Sequence, residues 1–202
     1  VQTIYEPKGK AREYCERAVN LYRGCGHRCT YCYAPSVLHM TREDFAEVRP
    51  RPGILEALAK EAPKHEGREV LLCFTCDPCG PGTDDTTVEA IRILQKAGCQ
   101  VNLLTKAGER SLPAIGVLRP GVDKYGATLT LTNRDDSYAW EPGAPLFGER
   151  VAAIMEAKVR GVETWASLEP VIDPEQSLTL IRLTSGVVDT LKIGKWNYST
   201  RM

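Results

Sequence analysis

The sequence carries no excess of charge of either sign. Its 202 residues hold 26 Lys and Arg against 26 Asp and Glu, so there is no global electrostatic case for a nucleic-acid partner. No apolar run approaches a membrane span, and the first residues lack the charged-then-apolar layout of a signal peptide. No repeat, low-complexity tract or linker divides the chain, whose length suits one sizeable core. A single domain over residues 1–202 is expected, with residues 1–18 as an N-terminal extension. Histidine is scarce: His27 reads as solvent-facing, and His39 and His65 lie in helix-like surroundings. Cysteine is not scarce. Eight of them would suit a secreted disulfide scaffold only in a shorter, less helix-patterned chain. A reducing cytosol, with thiols kept as ligands or as free groups, is the better reading.

Three of the eight fall within eight residues, Cys25-Gly26-His27-Arg28-Cys29-Thr30-Tyr31-Cys32. The C-x3-C-x2-C spacing offers three thiolates from one short loop, one fewer than a closed four-ligand site needs. Such a loop leaves a coordination position open, and an open position is where a metal does chemistry. Two blander readings compete: three free thiols on a surface loop, or part of a zinc site completed from elsewhere. A non-catalytic zinc or iron–sulfur module is therefore kept as an alternative.

Short apolar runs alternate with helix-like stretches along the chain. Residues 18–22, 70–75, 101–105, 127–132, 164–168 and 190–193 read as strands. Thr86-x-x-Glu89 reads as a capping box opening a helix that Gly98 stops. Val151, Ile154, Met155 and Val159 line another, ending at Gly161, and Asp173-Pro174 caps a third. About six strands and five helices in alternation imply an α/β layout with parallel pairing. The chain stops a few residues after the sixth strand, with no sixth helix to cover it.

The loop Cys25–Cys32, with an aromatic Tyr31 before its last cysteine, resembles the cluster-binding motif of the radical S-adenosylmethionine (SAM) enzymes. The lead-in from Asn20 to Cys25, the run Tyr31–Ala34, Thr75-Cys76-Asp77-Pro78 and Leu104-Thr105-Lys106 resemble the spore photoproduct lyase-like branch of that family. These matches span about residues 19–110, with weaker ones continuing to Gly194.

The resemblance implies a partial (β/α)6 barrel with the cluster loop after the first strand. It implies a [4Fe–4S] cluster on Cys25, Cys29 and Cys32, with SAM on the open iron. The cluster's electron cleaves the sulfonium, giving methionine and a 5′-deoxyadenosyl radical that abstracts hydrogen. Tyr31 then lies near the adenine, and Thr75 and Lys106 serve the SAM carboxylate with Asp77 beside them. Thr130, Thr132 and Asn133 face the ribose, while Glu169 meets the sugar hydroxyls or the amine. Read from the residues alone, Thr75 is equally a strand-filling β-branched side chain and Lys106 a solvated lysine. Lys192 and Lys195 beside Gly194 face an anionic substrate in this reading.

Cys73, Cys76 and Cys79 form a second triplet, C-x2-C-x2-C. It reads as a second metal site, as a redox pair at Cys76 and Cys79 that would make the chain a thiol oxidoreductase, or as buried small residues. The resemblance adds a fourth reading, Cys73 as hydrogen donor to a product radical. Cys15 and Cys99 are expected to pack in or near the core. As partners the family implies a flavodoxin- or ferredoxin-like electron donor in the cytoplasm and a nucleic-acid or nucleotide substrate, with repair or modification of a nucleobase as the reaction.

Overall fold

Val70, Leu71 and Leu72 are wholly buried, as expected of a strand covered on both faces of a parallel sheet. They lie in β4 (Glu69–Leu72), beside β1 (Ala18–Val19) and β5 (Gln100–Thr105). In the computed structural model, which describes residues 2–195, the sheet continues through β6 (Lys124–Thr128), β7 (Glu163–Val171) and β8 (Thr190–Lys195). The order is β1-β4-β5-β6-β7-β8 with every neighbouring pair parallel. This is the expected six-stranded α/β layout of a partial barrel. Two further strands, β2 (Tyr22–Arg23) and β3 (Arg49–Pro50), pair antiparallel outside it.

The longer helices are α3 (Ile54–Glu61), α4 (Thr86–Lys96), α7 (Phe147–Val159) and α8 (Pro174–Thr184). Shorter ones are α1 (Ala34–Val37), α2 (Arg42–Ala46), α5 (Leu112–Ile115) and α6 (Arg134–Trp140). The main core joins helices to sheet through Val70, Leu72, Ile91, Leu94, Leu103 and Ile154. A smaller cluster holds Ala18, Leu71 and Trp165 with Tyr14, Phe74 and Leu104 packed on it. Leu71 parts from Val70 and Leu72 because successive strand side chains take opposite faces. Trp165 fits this second face because its neighbour on β6 is Gly126: a Cβ there would lie 2.3 Å from the indole.

Several boundaries differ from the sequence reading. β4 ends at Leu72, so Cys73–Thr75 are loop and the alternation expected of them does not apply. β6 lies earlier than residues 127–132, because its partner β5 ends at Thr105, opposite Ala127. Asp85, not Thr86, caps α4, and the expected capping box does not form; Asp84 instead accepts from the Thr86 amide at 3.0 Å. The cap at Asp173 is as expected, its Oδ1 accepting from the amides of Glu175 and Gln176.

The N-terminal segment links the two edges of the sheet. Tyr5 exchanges backbone hydrogen bonds of 2.9 Å with Ala18 on β1. Lys192 on β8 donates to the carbonyls of Glu13 and Tyr14 at 2.9 and 3.3 Å. Tyr14 thereby reaches the mouth of the barrel, edge-on to Phe74.

Candidate active site

Active sites of parallel α/β folds lie at the carboxyl ends of the strands, and a cavity of about 230 Å³ opens there. Cys25, Cys29, Tyr31 and Cys32 line it from the loop that follows β2. Chain-distant partners pin this loop. Phe45 accepts from the Cys25 amide at 2.7 Å, Trp140 from the Thr30 amide at 2.9 Å, and the Gly143 amide donates to His27 at 2.9 Å. The Arg42 guanidinium adds bonds to the carbonyls of Cys29 and Thr30. Gly143 lies so close that a Cβ there would stand 2.4 Å from the Gly26 oxygen.

His27 overturns its sequence reading: it is 1% exposed rather than solvent-facing. Its Nδ1 is 3.1 Å from the Gly143 carbonyl and its Nε2 3.0 Å from Asp77 Oδ2. His27 also lines the cavity, but both its ring nitrogens face protein oxygens, which leaves the thiols as the loop's donors for a metal. That set suits iron–sulfur ligation. Burial pushes all three thiols up, Cys29 to about 12, so metal loading must displace their protons. Among the described residues no three His, Cys, Asp or Glu groups converge on a single ion.

Asp77 lines the cavity, yet its oxygens are already taken. Oδ1 accepts from the Cys79 amide at 2.9 Å and the Thr105 hydroxyl at 2.6 Å; Oδ2 accepts from the Lys106 amide at 2.8 Å and faces His27. Burial works to raise its pKa, but His27, Thr105 and the Lys106 amide hold it below the usual carboxylate range. The residue placed with the cofactor ligands in the sequence reading is instead a knot joining the thiol loop, the segment after β4 and the end of β5.

Thr75 lines the cavity, its amide held with that of Phe74 by Asn20 Oδ1 at 3.0 and 2.8 Å. Lys106 projects from the end of β5 with Nζ 5.8 Å from the Tyr31 ring centroid and 3.9 Å from Glu141 Oε1. Glu169 on β7 lines the same cavity and accepts from the Tyr14 hydroxyl. Cys73 and Cys76 are on its wall, Cys73 Sγ accepting from the Leu21 amide at 3.5 Å; buried Cys79 is not.

The structure does not bring Thr130, Thr132 and Asn133 to the cavity; Thr128 stands there instead. The earlier register of β6 moves the strand end back. Thr130 is buried with no hydroxyl partner, the Thr132 amide donates to Gln176, and Asn133 caps α6 through the amides of Asp135 and Asp136.

Two site residues escaped the sequence reading, Glu141 and Arg150. Glu141 accepts from the Tyr31 hydroxyl and from Arg150 Nη2, and Arg150 also donates to the carbonyls of Thr128 and Pro145. Burial opposes ionisation of Glu141, but Arg150 and Lys106 hold its pKa at about 2. The available signal was an arginine next to Val151 on the face of α7 that carries Ala153 and Ile154 into the core.

No protein-family model and no curated protein matches the chain. Solved structures do. The chain is similar to a double mutant of spore photoproduct lyase with bound AdoMet and dinucleoside spore photoproduct, at a TM-score of 0.75 and 19% identity, over 97% of this chain and 60% of that one. It is similar to spore photoproduct lyase complexed with dinucleoside spore photoproduct, at 0.72 and 20%, over 96% and 58%. SuiB of Streptococcus suis bound to S-adenosylmethionine gives 0.68 and 12%, over 91% and 41%. The fold is therefore the partial barrel of the radical SAM enzymes, and the chain spans about three-fifths of the length of the lyase.

Proposed function

We propose that the chain is a radical SAM enzyme acting on a nucleotide substrate. The observation that carries the reading is the thiol set Cys25, Cys29 and Cys32 facing one cavity with Tyr31 and Lys106, while both nitrogens of the loop's only imidazole face protein oxygens. When bound there, a [4Fe–4S] cluster with SAM would supply the reducing electron and the 5′-deoxyadenosyl radical for hydrogen abstraction.

The chain's own residues do the rest. Tyr31, fixed through Glu141, gives the adenine a flat wall, and Lys106 offers a charge-assisted hydrogen bond to the SAM carboxylate. Thr75 stands ready with its hydroxyl, and Glu169 bounds the cavity on the β7 side. Apolar side chains including Phe45, Phe74 and Leu104 limit water around the reacting atoms. Cys73 and Cys76 border the space where a substrate radical would sit, which supports a thiol hydrogen donor; a lyase-like repair reaction follows from that role. The likeness to structures holding a dinucleoside photoproduct supports a nucleobase as the target. A low-potential flavodoxin- or ferredoxin-like protein of the cytoplasm would deliver the electron.

The test is anaerobic reconstitution with iron and sulfide, then reduction in the presence of SAM. The expected product is 5′-deoxyadenosine, lost in Cys29→Ala. A colourless protein that binds zinc and leaves SAM intact would overturn the reading.

A further inference from the structure

Cys73 and Cys76 are two buried thiols in the cavity wall, on the segment that follows β4. That segment is curled. Asn20 Oδ1 accepts from the Phe74 amide at 2.8 Å and from the Thr75 amide at 3.0 Å, and the backbone bends over Phe74–Cys76. Two successive amides reach one oxygen only where the chain wraps around it. In a four-residue turn the end Cα atoms lie within about 7 Å, about the limit that a disulfide can bridge. The side chains follow the backbone: burial first, and then contact with the Cys76 thiol, push the Cys73 thiol up.

The pairing expected from the sequence, Cys76 with Cys79, is not the one the fold provides. The Cys79 amide donates to Asp77 Oδ1 at 2.9 Å, its thiol meets the Thr105 hydroxyl, and its side chain is off the cavity. Cys15 donates to the Glu69 carbonyl at 3.4 Å, and Cys99 to those of Ala62 and His65 at 3.5 and 3.3 Å. Cys73 and Cys76 are left facing each other where small molecules can enter.

We propose that Cys73 and Cys76 form a redox-active dithiol, which small disulfides entering the cavity oxidise to an intramolecular disulfide. One cysteine, as its thiolate, attacks the S–S bond of the reagent and releases one small thiol. The other cysteine then displaces the second half. One S–S bond breaks and one forms, and the two protons and two electrons lost by the cysteines leave in two small thiols. The cavity wall thereby passes from two S–H groups to none. The dithiol site stands without the radical reading; only its use as a switch on hydrogen donation rests on that reading.

The test needs neither cluster nor SAM. The full chain is equilibrated anaerobically with bis(2-hydroxyethyl) disulfide and 2-mercaptoethanol in mildly alkaline buffer, and free thiols are then blocked. Trypsin separates the peptide holding Cys73, Cys76 and Cys79 from the thiol loop, and cleavage before Asp77 separates Cys79 from the other two. The expected product is a Cys73–Cys76 fragment lighter by two hydrogens. It should exceed any Cys76–Cys79 link by about tenfold or more, since that link would break the Asp77 and Thr105 contacts. Cys79→Ser should keep the disulfide and Cys76→Ser should lose it, each with the circular dichroism of the wild type. A link from Cys76 to Cys79 or to the thiol loop, or both thiols still free at the most oxidising ratio, would overturn the assignment. Formation of 5′-deoxyadenosine by the reconstituted wild type is scored separately: its absence sinks the radical reading alone, and a missing disulfide sinks the dithiol alone.

Discussion

Glu141 and Arg150 form a buried ion pair: Arg150 Nη2 stands 2.5 Å from Glu141 Oε2, with side chains 2% and 1% exposed. The pair is also a strut, since Glu141 accepts from Tyr31 and stands near Lys106, while Arg150 ties down the end of β6 at Thr128. Removing one partner of such a pair leaves a charge uncompensated out of water, at about 3–5 kcal/mol. Arg150→Met is therefore expected to lower the unfolding free energy by about that much in urea titrations, and Arg150→Lys by less, because the charge remains without the fork. A wild-type midpoint in Arg150→Met would contradict this account.

Acid should act through the same carboxylate. Its pKa lies at about 2 in the folded protein, against an ordinary 4.5, so the native state favours the ionised form. The resulting stability is fully present above the unfolded value and is lost as pH falls through the folded one. Asp77, also held low, adds to the effect. The urea midpoint should drop between about pH 5 and pH 2, and the drop should be shallower in Glu141→Gln. Identical slopes in the two proteins would show that Glu141 is not the group responsible.

Asn20 sets the segment after β4. Its side-chain oxygen accepts from the amides of both Phe74 and Thr75, and its Nδ2 donates to the Tyr5 hydroxyl. In Asn20→Ala two amides lose their acceptor, each worth about 1–3 kcal/mol if left buried and unpaired. Hydrogen exchange at residues 74 and 75 should accelerate in that variant and stay slow in Asn20→Asp, which keeps the acceptor. Unchanged protection in the alanine variant would remove Asn20 from this role.

Gly126→Ala probes the inner face of the sheet. The added methyl would meet Trp165 at 2.3 Å, where the indole also donates to Asn102 Oδ1 at 2.9 Å. Overpacking of this kind costs about 1–3 kcal/mol. Near-ultraviolet circular dichroism should register the displaced indole together with the lost stability; a spectrum and midpoint like the wild type would mean the sheet yields instead.

What could be read from the sequence was what short range determines. Three thiols within eight residues announce a loop whatever surrounds it, Asp173-Pro174 caps its own helix, and apolar runs such as Val70–Leu72 must be buried. What could not be read depends on residues far away in the chain. His27 is drawn inward by Gly143, 116 positions on, and Tyr31 is tethered to Glu141 at a separation of 110. Asp77 looks like a cofactor ligand until the hydroxyl of Thr105 and the amide of Lys106 are seen to occupy it. Thr130, Thr132 and Asn133 lie off the cavity because the Thr-Leu alternation runs on past the point where β5 stops offering a partner.

The backbone contact between Gly143 and the thiol loop divides the barrel mouth into two regions that are tied to the cysteines to different degrees. The stretches after β4, β5 and β6 are clasped to the thiol loop through Asp77, Lys106, Glu141 and Gly143, so an insertion in any of them would be felt at the cysteines. The rim formed by the N-terminal segment and β8 is held instead by Lys192 on the carbonyls of Glu13 and Tyr14 and by Tyr14 on Glu169, so a change of loop length there would first be felt at β7 and β8.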